Sequence, residues 1–383
     1  MLDHLTENQV RLLINKIPYD ADIKALFIKK LDSGLYSSHR EFLVNPLLTV
    51  MMLITLEQFA EVPAKIHLFY EYAFEALFAR HDVTKGGFQR KRYVNLAMDD
   101  YRRLFSYFCM ISYLKEEFRF TESNILEIID RSIKASQIET KKEDFLEDLA
   151  RCTCMLVRDG LDYAFSHRSF QEYFSAYFLS RVKSEEFEKA APRLIDRGRF
   201  DNVFLMVFEM NKEKFEECWA LPQLQRMVDA TYNIDVVENP VDFAIALAGD
   251  LKISFMPDSN IRIHFTGNSN TETRSSLYTI YDLFHRINNQ LNNKNSKNDK
   301  ILYKKIYNGE ILFDDKRFDK LRKSKSRTIR FEASLSSADN WWIKLTSTYD
   351  FLVKEGIELP ILFNEVRTRV ANRKEGAAAI FDL

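Results

Sequence analysis

The residues that most readily interrupt a helix are scarce in this chain: 10 glycines and 8 prolines are spread over 383 positions. In a helix interior glycine costs roughly 1 kcal/mol relative to alanine and proline about 3. A chain that so seldom uses either is free to run helix after helix through short connections. Packing must then come from the apolar residues, which make up 46% of the sequence and include 31 Phe; the charged fraction is 29%. That balance is globular, not disordered or fibrous. The length exceeds one ordinary core, so about two to four packed units are expected.

The formal net charge is −1, so the whole-molecule field makes no case for nucleic acid or an anionic membrane. Four cysteines, Cys109, Cys152, Cys154 and Cys218, are too few and too irregularly spaced for a disulfide framework. They suit a reducing compartment. The start, Met1-Leu2-Asp3-His4, carries no apolar signal core, and no apolar run approaches the roughly 20 residues that span a bilayer. A cytoplasmic protein with no membrane partner is expected.

Helix starts punctuate the first 80 or so residues. Thr6-Glu7-Asn8-Gln9 fits a capping box, followed by Val10, Leu13, Ile14 and Ile17 at helical spacing. A second stripe, Ile23 to Leu31, stops at Gly34. Ser38-His39-Arg40-Glu41 reads as another box, opening one buried helix through Phe42, Pro46, Leu48 and Met51 to Ile54; a fourth follows Pro63. Gly86-Gly87 marks a boundary. Beyond it come an aromatic helix over about 90–115, a short strand at Phe118–Phe120, and a helix capped by Thr121 or Ser123. A helix boxed by Thr140 and Glu143 precedes strands Met155–Arg158 and Leu161–Phe165, which flank Asp159-Gly160, a strong hairpin signal. Ser169 to Glu172 then caps a helix to about Arg181. Helices with a two-stranded wing make a winged-helix domain.

Residues 184–235 read as a second helical region with Phe187, Leu194, Phe204, Val207 and Phe208 in its core. In 236–383, Ile253–Phe255 and Ile261–Phe265 suggest a small hairpin, Asn288 to Lys300 a loop, and Trp341–Phe351 and Ile361–Arg373 closing helices. The expected fold is mainly α: a helical bundle (1–85), a winged-helix domain (86–183), further helices and a small α+β C-terminal domain.

Two segments carry a family resemblance. Asn45-Pro46-Leu47-Leu48-Thr49-Val50-Met51-Met52, with Pro63-Ala64-Lys65 and Phe69-Tyr70-Glu71, resembles the first helical domain of NACHT-type signalling NTPases, a group within the STAND NTPases that includes NLR-like proteins. Phe165-Ser166-His167-Arg168-Ser169-Phe170-Gln171-Glu172-Tyr173 resembles the F-x-H-x-S-F-Q-E-[FY] segment of the family's winged helix. The two stand in the family's order and spacing and cover roughly residues 1–182. The resemblance implies a nucleotide-controlled switch in innate immunity or antiphage defence. It places Pro46 near the adenine and His167 on the diphosphate of bound ADP. An imidazole where a strand meets a helix N-terminus suits phosphate, although a histidine there is also explained by local packing alone.

The family's phosphate-binding loop is missing, because no glycine in this chain is followed by lysine. The chain by itself is therefore expected to be no enzyme and to hold no cofactor, with ADP or ATP entering only alongside a separate NTPase core. Its expected partners are that core or a full-length homologue, further copies of itself, and a trigger, protein or nucleic acid. Phe243 to Asp250 superficially resembles a metal-carboxylate strand but reads as core. Cys152-Thr153-Cys154 lacks a second ligand pair and reads as buried thiols. Lys316 to Arg330 holds eight Lys or Arg against one Asp. That strip is a solvated face or, on the alternative reading, the electrostatic patch of a free-standing winged-helix nucleic-acid binder. An inactive remnant modulating a full-length relative is the third possibility.

Overall fold

The computed structural model describes residues 4–63, 65–80, 92–194, 201–248, 250–255, 261–266, 331–344 and 347–381. Gly86-Gly87, Asn288 to Lys300 and the basic strip Lys316 to Arg330 lie outside the described residues. The chain divides into two compact units: Met1–Val182 with Asn202–Asn211, and Lys183–Asp201 with Lys212–Leu383. The mainly helical class expected from the sequence is what the chain adopts.

In the first unit α1 (Glu7–Lys16), α2 (Ala21–Asp32), α3 (Leu35–Ser38), α4 (Arg40–Leu43), α5 (Pro46–Phe59) and α6 (Ile66–Arg80) form the bundle. The Thr6 box closes: Gln9 N donates to Thr6 Oγ1 at 3.4 Å, and Thr6 N to Gln9 Oε1 at 2.8 Å. The box expected at Ser38 does not form. Its hydroxyl donates instead to the carbonyls of Gly34 and Leu35 in the preceding turn, and no side chain caps α4. Nor is there one helix through Phe42 to Ile54. The residue before a proline disfavours helical backbone. Asn45 accordingly turns extended, its Oδ1 accepts from Leu47 N and Leu48 N, and Pro46 opens a fresh helix. α5 is buried continuously from Met51 to Leu56.

The winged helix follows as α7 (Met98–Leu114), β1 (Arg119–Thr121), α8 (Glu122–Ser136), α9 (Lys142–Glu147) with a π-turn at Asp148–Cys152, β2 (Leu156–Asp159), β3 (Asp162–Phe165) and α10 (Arg168–Arg181). Its antiparallel sheet has the order β1-β3-β2. Thr121 caps α8, but no side chain caps α9, so the box expected at Thr140 is absent. The wing turns on Gly160 and Leu161, one residue later than expected: Asp159 pairs Asp162, and Gly160 takes the left-handed φ of 66° that the turn needs. Phe105, Phe108, Phe120, Phe165 and Phe174 make a chain of ring contacts 4.6–6.4 Å apart that packs α7 and α10 against the sheet. Past α10 the chain belongs to the second unit for α11 (Ser184–Leu194), then to the first for α12 (Val203–Met210), which packs on α10. Phe204 and Val207 are buried as expected, whereas Phe208 is only half-buried.

The second unit continues with α13 (Lys212–Phe215), a π-turn at Glu216–Ala220, α14 (Leu221–Thr231) and α15 (Pro240–Ala248). Then come β4 (Asp250–Phe255), β5 (Ile261–Thr266), β6 (Phe331–Ser334), α16 (Asn340–Ile343) and α17 (Ser347–Phe381). The expected β4–β5 hairpin forms, and β6 joins the other edge of β4. Phe243 to Ala248, read as strand-like, is helical, though Phe243, Ala244 and Leu247 are core. The two expected closing helices change bounds: Trp341–Phe351 is shared between α16 and α17, and α17 is a single 35-residue helix that begins at Ser347, takes in Ile361–Arg373 and runs through Pro360. Proline lacks an N–H and crowds the carbonyl four residues back, here that of Gly356. The helix persists because Leu352, Leu359, Phe363, Val366 and Val370 form a buried stripe, and α17 packs on α14 and α15. Among the described residues no helix is long and apolar enough to cross a membrane.

Candidate functional site

Strand β3 ends at Phe165, Ser166 N donates to Met155 O, and α10 begins at Arg168. The residue between, His167, is the cap. Its backbone is extended and Nδ1 accepts from the Ser169 amide at 3.3 Å. Ser169, the cap expected from the sequence, instead sits inside the first turn with its Oγ 2.5 Å from His167 Nδ1. The ring fits the capping place because Nδ1, like an Asn oxygen, stands close to its own backbone. Burial lowers the His167 pKa from its ordinary value, so the ring is neutral at pH 7. A nitrogen that accepts from an amide carries the lone pair, which puts the proton on Nε2. Nε2 has no hydrogen-bond partner among the described residues, and the buried Ser166 hydroxyl has none either.

Pro46 is exposed at the first position of α5. The link between the two motif segments runs elsewhere, through Tyr70. Its ring packs at 5.7 Å on Phe42 and 5.2 Å on Phe69, and meets Phe170 at 5.5 Å and Tyr173 at 5.7 Å on α10. Burial raises the Tyr70 pKa well above the phenol range, with the Ser169 hydroxyl opposing the rise, so Tyr70 keeps its proton. Tyr70 and Phe170 both lie within the motif segments, but nothing in the spacing of either segment indicates that they touch.

Other polar groups around this junction are spent on structure. Buried Arg102 on α7 reaches Glu71 at 3.3 Å and Glu75 at 2.7 Å on α6, which gives the motif residue Glu71 a packing role. Glu209 on α12 accepts from His67 N at 3.3 Å and lies 2.9 Å from His67 Nδ1, so it caps α6. Glu41 has its carboxyl pKa raised, chiefly by burial, with His39 opposing and Glu209 adding to the rise.

The cysteine pair departs from expectation: Cys152 is buried but Cys154 is exposed, at a left-handed φ of 53°. The Cys152 thiol donates to Asp148 Oδ1 at 3.2 Å, and burial with that neighbour pushes its pKa up to about 12. Among the described residues no group of three His, Cys, Asp or Glu could hold a metal ion. Chemically, the junction offers a neutral N–H donor at the positive end of a 14-residue helix, an arrangement that fits a phosphate oxygen. No protein-family model matches the chain, and a search of curated proteins finds no relative.

Proposed function

We propose that this chain is the regulatory arm of a NACHT-type nucleotide-controlled switch, in which the winged helix reads the diphosphate of ADP held by an NTPase core that these residues do not include. The observation that carries the reading is His167: a neutral ring capping α10 through Nδ1, with Nε2 unpartnered among the described residues. The α7–β1–α8–α9–β2–β3 order of a winged helix supports it, as does the direct packing of the two motif segments through Tyr70. Exposed Pro46 is available to flank the adenine. Loss or exchange of the nucleotide would remove a hydrogen bond to a charged group, biasing a two-state rearrangement of the winged helix. Innate immune or antiphage signalling in the cytoplasm is the setting that this reading implies. The rival nucleic-acid reading gains nothing from the wing, where Arg119 is paired with Asp159 and Arg158 lies over Tyr163.

The test must separate capping from phosphate contact. Asn keeps the cap but not the imidazole, so His167→Asn and His167→Ala are compared in the chain reconstituted with a NACHT-type core. A hydrogen bond to a charged group contributes about 1.5–3 kcal/mol, so both variants should release ADP about ten-fold faster or more. Release at the wild-type rate from a folded His167→Asn protein would leave His167 as a helix cap only. The chain without a core should turn over no ATP.

A further inference from the structure

We propose that the groove between α7 and α10 binds a free aromatic α-amino acid, its ammonium and carboxylate taken by Asp99 and Arg181 and its ring by Tyr107 and Phe178. The site is separate from His167 and stands independently of the nucleotide reading.

The groove has a volume of about 320 Å³. That is the small end of the range of about 300–1,000 Å³ for ligand pockets, which suits a small metabolite. The two helices run antiparallel along it. Arg102 of α7 lies 5.8 Å from the Tyr177 ring, and Phe105, three residues on, meets Phe174, three residues back, at 4.6 Å. The first turn of α7 therefore lies beside the last turn of α10, and the lining residues sort along the groove. Asp99, Asp100 and Arg181 stand towards one end; at the other, Tyr107 and Phe178 meet edge to face with centroids 4.8 Å apart. Arg181 follows Phe178 by three residues, about 4.5 Å of helical rise, close to the reach of an aromatic amino acid from its α-carbon to its ring.

The charges at the first end are only partly matched. Arg103 takes Asp100 at 3.3 Å, whereas Asp99 meets no cation and Arg181 no carboxylate among the described residues. Arg181 instead stacks its guanidinium over Tyr177 at 3.6 Å and donates from Nη1 to Ser180 Oγ at 3.2 Å. Stacking holds the plane of the guanidinium and leaves its other N–H groups for a carboxylate. The groove thus offers one unmatched anion, one unmatched cation and an aromatic wall. A simple cation or anion would answer one charge and leave the other idle. A zwitterion with an aromatic side chain answers all three, and its ring adds edge-to-face contact to the burial of area. Such an occupant would bridge α7 and α10, the two helices packed on the winged-helix sheet.

The experiment is calorimetric titration of the intact chain, without nucleotide, with three compounds. These are L-phenylalanine, phenethylamine, which lacks the carboxylate, and phenylpropionate, which lacks the ammonium. L-Phenylalanine should bind saturably, and each analogue about ten-fold more weakly for want of one charge-assisted bond. Asp99→Asn should weaken L-phenylalanine about ten-fold and leave phenylpropionate unchanged; Arg181→Gln should weaken it equally and leave phenethylamine unchanged. Both positions are exposed, so the fold tolerates the changes. Absence of saturable L-phenylalanine binding in the millimolar range, or equal binding of the three compounds, would overturn the proposal. So would wild-type affinity for L-phenylalanine in either folded variant. None of these outcomes bears on ADP release from the reconstituted switch, which tests His167 separately.

Discussion

Glu216 and His167 are polar side chains that this fold draws out of water, and they end in opposite states. Glu216 opens the π-turn between α13 and α14 and is 2% exposed. Arg369 donates to its Oε1 from Nε at 3.1 Å and from Nη2 at 2.8 Å, and Arg373 donates to Oε2 at 2.8 Å. Both carboxylate oxygens are engaged, and the long helix α17 is tied to the turn by the result. At the start of α10, His167 and Ser169 spend one side of the imidazole on capping, while Nε2–H has no partner among the described residues. A fully satisfied buried network rigidifies a fold. A donor left over beside a satisfied one is what a ligand contact requires.

The largest expected effect would test the saturated side. Arg369→Ala with Arg373→Ala leaves the buried carboxylate with only the half-exposed Lys212 at 3.9 Å, at a cost of about 3 kcal/mol, read from the urea unfolding of the second unit. Glu216→Gln should cost less, because the arginines are 41% and 29% exposed and can rehydrate. Equal costs would mean that the cluster is not organised around burial of Glu216.

Acid should expose the same asymmetry. Burial raises the Glu216 pKa, but the Arg369 and Arg373 bonds outweigh it and hold the group below its ordinary value of 4.5. A lowered folded-state pKa contributes stability above the unfolded value, and that stability is lost as pH falls through the folded one. Thermal stability of the second unit should therefore fall below about pH 4.5. The gap between wild type and the double arginine variant should narrow there, because protonation relieves the stranded charge. A gap constant from pH 7 to 3 would contradict this.

Smaller effects come from packing and caps. A Cβ on Gly356 would lie 2.7–2.8 Å from the Val236 side chain, so Gly356→Ala should destabilise by about 1 kcal/mol despite alanine's better helix propensity. Adding Val236→Ala should restore only part of the loss, because the Cβ of residue 236 would still lie 2.8 Å away. At His167 the stability cost should be the least: about 1 kcal/mol for His167→Ala, and a few tenths for His167→Asn, which keeps the cap. A large loss in His167→Asn would show that the fold depends on the imidazole as strongly as it does on Glu216.

What the sequence determined by itself is mostly what a few neighbouring residues can decide. The Thr6 box, the Thr121 cap, the Gly160 turn and the continuously apolar α5 were all readable, because each depends on bonds or side-chain spacing within about four residues. The same local rules misplaced details wherever two polar candidates competed. Ser169 looked like the cap of α10, yet His167 took the place; Ser38 turned back to its own helix rather than capping α4. Tertiary structure alone decided the rest. β6 joins β4 across a long stretch of chain, α12 packs with the first unit, and α17 runs through Pro360 because a buried stripe outweighs a proline penalty of about 3 kcal/mol. The ring contacts of Tyr70 with Phe170 and Tyr173 belong to this class as well. A chain pattern records which residues are apolar, but not which distant rings the packing will press together.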